Sequence, residues 1–171
     1  MPKLEPLKEF ICDQCGQIIE EPGDGWVEWL AYWEDGTQVV YNFRIVHHKQ
    51  DSPNQAGNCY YTDLHEDYEG TASTDHLQYF LEDQGLARAL AKLQRHAEGN
   101  ARFKNKEDYL QLLELIRRIT IPYYEEGRQY LDKYYLEWTG EGKIIYSRID
   151  SEDMQKFLNW IEEREYDYDF R

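Results

Sequence analysis

The sequence predicts an α+β fold: β structure over residues 1–70, then a mainly helical region over 71–171 packed on it, with one late strand and an acidic tail at 162–171. Three observations carry this. Two runs rich in aromatic and β-branched residues, 26–33 and 38–48, flank the turn formers Glu34-Asp35-Gly36-Thr37, which is the pattern of a β-hairpin. From residue 71 the apolar residues recur at helical spacing instead. Ahead of both runs, Cys12 and Cys15 are separated by Asp13-Gln14 and followed at once by Gly16, the pattern of a metal-binding knuckle.

Taken in order, Phe10-Ile11 leads into that knuckle. Glycine after the second thiolate supplies the positive-φ backbone that folds the turn back, so that amides past the first thiolate can hydrogen-bond to its sulfur. A redox dithiol would use a helix N-terminus to lower a thiol pKa, and Gly16 with the later Pro22-Gly23 disfavours a helix there. One knuckle supplies only two ligands, whereas a structural zinc site takes four.

After the turn formers Glu20-Glu21-Pro22-Gly23-Asp24-Gly25 come the two hairpin strands. On the second, Val39, Tyr41, Phe43, Ile45 and His47 alternate onto one face, predicted buried, and Val40, Asn42, Arg44, Val46 and His48 onto the other. The polar loop 49–58 then delivers Cys59-Tyr60-Tyr61. Cys12, Cys15, one of His47 or His48, and Cys59 make a Cys3His set. His48 is the preferred histidine, because His47 follows the apolar face and His48 is freer to turn toward a metal beside it; a bulge would reverse the choice. The predicted zinc ligands are therefore Cys12, Cys15, His48 and Cys59.

The same stretch carries a second pattern. Val46-His47-His48, then Asn58-Cys59, then His65, behind a CxxC, resembles the HNH endonuclease motif. The resemblance implies a nuclease in which His47 or His48 activates water, Asn58 positions the motif and His65 holds a catalytic divalent metal. It covers residues 46–65 and departs from the family in lacking a second cysteine pair and a clear helix around the last histidine. Read from its neighbours Asp63, Leu64, Glu66 and Asp67 alone, His65 is an exposed loop residue.

Thr71, Ser73, Thr74 and Asp75 are N-cap candidates for a short helix over 76–81. Leu86, Ala89, Leu90 and Leu93 mark a second helix ending near Gly99-Asn100. A third follows an Asn105 cap, with Tyr109, Leu112, Leu113, Ile116 and Ile119 on its apolar face, and stops or kinks at Ile121-Pro122. Residues 102–106 and Arg117-Arg118 read as a linker and a solvated helix face. From Tyr123 to Trp138 aromatic residues repeat at helical spacing, as a core stripe or a recognition face. Residues 143–149 are predicted as a strand and Ser151 as the cap of a last helix bearing Met154, Phe157, Leu158 and Ile161.

Charge bounds the function. The chain's 171 residues carry 19 Lys+Arg against 34 Asp+Glu, a formal net charge of −15. No basic segment hides in that average: cationic against anionic side chains number 4 and 10 over residues 1–60, 3 and 8 over 61–100, and 12 and 16 over 101–171. Such a field repels phosphate, so direct nucleic-acid binding and anionic membrane surfaces are disfavoured, and it would also oppose a nuclease's own substrate. No apolar run of signal-peptide or membrane-spanning length occurs, which predicts a cytoplasmic protein whose 3 cysteines serve metal or thiolate chemistry. Carboxylates are too abundant to single out a catalytic pair. The reading is a non-enzymatic interaction protein, such as an adaptor, inhibitor or immunity-type partner, with an acidic surface suited to a basic protein.

Overall fold

A computed structural model describes residues 3–49, 51–53, 59–61, 69–140 and 149–169. The chain divides into two compact units, Lys8–Thr120 on one hand and Met1–Leu7 with Ile121–Arg171 on the other.

The first unit begins with a two-stranded ribbon, β1 (Phe10–Ile11) antiparallel to β2 (Ile18–Ile19), whose turn is the cysteine knuckle. A four-stranded sheet follows, in the order β5-β3-β4-β6: β3 (Gly25–Glu34), β4 (Thr37–His47), β5 (Thr71–His76) and β6 (Ala101–Phe103). The predicted hairpin joins β3 to β4, with positive φ at both Asp35 and Gly36 (48° and 78°), the twist-matching turn that its Asp-Gly pair favours. The helices are α1 (Gln78–Leu81), α2 (Gly85–Ala97) and α3 (Lys106–Thr120). Strands followed mostly by helices make this the α+β fold that the sequence predicts.

Three local readings change. Thr71–His76 is not a helix cap but a strand antiparallel to β3, where its two Thr residues suit a pleated, half-buried edge. Ala101–Phe103 is not a linker; it pairs parallel with β4 and buries Ala101 and Phe103. The simple alternation on β4 also fails, because the register with β3 shifts between Glu28 and Leu30, with Asn42 at φ 57°. This bulge leaves Phe43, Ile45 and His47 on the main core face but moves Tyr41 to the opposite one, where it clusters with Leu30 and Tyr61.

The second unit contains α4 (Tyr124–Thr139) and α5 (Ser151–Asp169), packed on each other. Tyr124, Leu131 and Tyr135 from α4 are buried with Met154, Phe157 and Ile161 from α5, and Tyr123, Tyr130, Tyr134 and Trp138 pack against them. The aromatic repeat is thus a core stripe. Asp150 Oδ1 accepts from the Asp153 amide 2.9 Å away and caps α5. The helix continues through the acidic segment to Asp169, while the strand expected over 143–149 falls almost wholly outside the described residues.

Candidate metal centre

The knuckle is built from its own backbone. Cys12 N–H donates to Gln17 O and Gly16 N–H to Cys12 O, each at 2.9 Å, and Gly16 sits at φ 71°, a left-handed conformation that disfavours any side chain. Phe10 and Ile19 on the ribbon are buried in the same core cluster as Ile45 and Phe43, so the cysteine sulfurs are presented to the apolar face of β4. Asp13 secures the docking: its amide donates to Ile45 O at 2.8 Å, and its Oδ2 accepts from Ile45 N–H at 2.7 Å.

Four ligand groups converge at this point. One ligand atom each from Cys12, Cys15, His47 and Cys59 lies within 4.8 Å of the others, three of the residues being buried and Cys15 half-buried. The cysteines are free thiols. His47 Nδ1 is 3.5 Å from Cys15 Sγ, while Nε2 is 3.2 Å from Ile18 O. A carbonyl oxygen only accepts, so Ile18 fixes the ring proton on Nε2 and leaves the Nδ1 lone pair facing the sulfurs. Burial pushes the Cys12 and Cys59 thiols above their ordinary value. A buried set of soft sulfur donors with one oriented imidazole fits a metal ion chemically.

The structure places His47, not the preferred His48, beside the three cysteines. His48 does not join the cysteines; its ring meets the Trp26 ring edge-on with centroids 4.5 Å apart and stacks on His76 at 5.6 Å. The expectation assumed a metal beside the apolar face, but the knuckle packs onto that face itself, and strand alternation gives the position to His47. Of the nuclease-like set, Asn58 and His65 lie outside the described residues.

Two ion pairs that sequence reading missed hold the ligand segments. Glu28, with no exposed surface, accepts from Arg44 Nε through Oε1 at 2.5 Å and from the Tyr61 amide through Oε2 at 3.0 Å. Arg44 also donates to Gln14 Oε1 in the knuckle at 2.7 Å and to Cys59 O at 3.2 Å, and its guanidinium lies over the Tyr61 ring. One side chain thereby joins the two cysteine-bearing segments. Beyond it, Ser52 Oγ is 3.2 Å from Cys59 Sγ, placing a hydroxyl donor on that sulfur. On the knuckle's other side Arg118, read as solvated, is only 4% exposed; it donates to Asp13 Oδ2 at 2.6 Å and to Ile11 O at 2.9 Å. A charged residue within each predicted strand, Glu28 and Arg44, was the available signal, and the register places them directly opposite one another.

No protein-family model matches the chain, and neither a curated protein nor a solved structure does.

Proposed function

We propose that Cys12, Cys15, His47 and Cys59 bind a structural zinc ion and that the chain is a non-enzymatic interaction protein, an adaptor, inhibitor or immunity-type partner for a basic protein. The observation that carries the zinc reading is the convergence of four donor groups of Cys3His type. Tetrahedral zinc with Zn–S of about 2.3 Å and Zn–N of about 2.0 Å has an S···N edge of roughly 3.5 Å, matching the 3.5 Å between Cys15 Sγ and His47 Nδ1. Four protein ligands complete the coordination and leave no position for a substrate, which favours a structural ion over a catalytic one. His47 would spend one nitrogen on the metal and the other on Ile18 O, leaving neither as a general base. The partner reading rests on the net charge of −15, whose field would steer a basic surface toward the chain. Three free thiols suit a reducing compartment such as the cytoplasm.

Elemental analysis of untagged protein tests the site. One zinc per chain is expected, retained in His48→Ala and lost in His47→Ala and Cys59→Ser. Zinc lost with His48 instead would overturn the ligand set. For the function, the chain should cut no DNA with Mg, Mn or Zn ions, and its affinity for a captured basic partner should fall as salt rises. Metal-dependent cutting abolished by His47→Ala would replace this reading with the nuclease one.

A further inference from the structure

β5 closes one side of the four-stranded sheet and leaves a backbone edge unpaired. It pairs with β3 alone, in a continuous register from Trp26 opposite His76 to Ala31 opposite Thr71. Leu77 N–H donates to Gly25 O at 3.0 Å, so these two residues are a hydrogen-bonded pair, and antiparallel alternation then turns the N–H and C=O groups of Ala72, Thr74 and His76 outward. Among the described residues no backbone group pairs with them. Natural sheet edges are blunted by proline, lysine, a bulge or a covering element. Thr71-Ala72-Ser73-Thr74-Asp75-His76 has no proline, lysine or bulge; Thr71, Thr74 and His76 are exposed, and its one carboxylate, Asp75, is engaged by Arg88 3.6 Å away. The strand at the opposite edge, β6, is only 3 residues long and buries both Ala101 and Phe103.

We propose that β5 is a docking edge for an extended segment of a basic partner protein, which adds antiparallel to it as a further strand of the sheet. This rests on the reading of the chain as an interaction protein and names the surface that its partner would use. Backbone pairing supplies the contact, and charge selects the occupant. Past His76 the chain turns through α1 into an open cavity of about 530 Å³ lined by Glu82, Asp83, Gln84 and Arg88, and the ion pair of Arg88 with Asp75 ties that cavity to the end of β5. Arg88 is already held by Asp75 and lies over the Tyr79 ring, whereas Asp83 has no cationic partner among the described residues. An antiparallel strand begins beside His76, so a lysine or arginine near its start meets Glu82 and Asp83. Two copies of this chain would each bring a net charge of −15 to the edge, which opposes self-pairing and favours a cationic strand.

The test titrates the full chain with a short synthetic peptide, two lysines followed by alternating threonine and valine, and follows the backbone amides of the protein by NMR. Shifts and slowed hydrogen exchange at Ala72, Thr74 and His76, weakening as salt rises, are expected. The same peptide N-methylated at alternate residues keeps its charge but loses the donors that face β5, and should bind about tenfold more weakly or worse. Thr74→Pro removes an outward N–H and no bond to β3, so it should weaken binding about tenfold with an unchanged circular dichroism spectrum. The modified peptide tests the edge even where the proline variant does not fold. Absence of shifts at β5, or undiminished binding by folded Thr74→Pro, would overturn the proposal. Equal, salt-sensitive binding of the N-methylated peptide would remove the strand site and leave the basic-partner reading standing, whereas binding indifferent to salt and to replacement of the lysines by glutamates would undo the charge selection on which both rest. Dimerisation of the free chain that Thr74→Pro abolishes would give the edge to a second copy instead.

Discussion

At the residue scale, the charged groups with the largest expected effects are those that the metal does not touch. Glu28 is fully buried and burial pushes its carboxyl up, an effect that Arg44 only partly offsets. Glu28→Ala removes the acceptor of Arg44 Nε and of the Tyr61 amide, and a loss of about 3–5 kcal/mol in denaturant unfolding is expected. The double variant Glu28→Ala, Arg44→Met should lose less than the sum of the two single changes. The buried thiols make a pH prediction. Because Cys12 and Cys59 are held protonated to higher pH than usual, a metal must displace their protons, so its affinity should rise with pH and fall as the solution is acidified. Competition titrations across neutral pH would measure that slope. Lys92 gives a separate signature. Its Nζ sits 3.3 Å from the centroid of the Trp29 ring, and burial lowers its pKa from 10.5 to about 8. Between those values the unfolded chain keeps a proton that the folded chain releases, so stability should increase with pH there, and Lys92→Met should flatten the increase.

At the scale of elements, α3 braces the unit. Its N-terminus is a reciprocal cap, with Asp108 N–H donating to Asn105 Oδ1 at 3.0 Å and Asn105 N–H to Asp108 Oδ2 at 3.1 Å. Asp108 Oδ1 also accepts from the amide of Asn42 at 2.9 Å, which satisfies the backbone where β4 bulges. Near the other end of the helix Arg118 grips the knuckle. Asp108→Ala should cost about 1–2 kcal/mol, the upper part of the range for losing a cap, because the Asn42 donor is orphaned as well. Thermal melts of Asp108→Ala and Asp108→Asn would check this, with the asparagine variant expected to lose less. The Asn105 cap and the apolar period made α3 legible in the sequence. The burial of Arg118 was not, since an Arg-Arg pair near a helix end reads equally as solvated surface until the segment it meets is known.

For the whole molecule, chelation should lower the melting temperature, because a metal that binds only the folded chain stabilises it in proportion to its occupancy. Calorimetry with and without chelator would test this, and an unchanged transition would count against a structural ion. Self-repulsion at a net charge of −15 further predicts that the metal-free chain gains stability as salt is added. The sequence by itself determined the hairpin, the principal helices, the knuckle and the Cys3His composition, since these follow from turn chemistry, periodicity and ligand type within short windows. Tertiary structure alone decided that β5 and β6 complete the sheet, because strands this short are defined by the edges they cover. It also chose His47 over His48. Strand periodicity separates two adjacent histidines onto opposite faces, but only the docking of the knuckle on β4, more than thirty residues along the chain, determines which face the cysteine sulfurs meet.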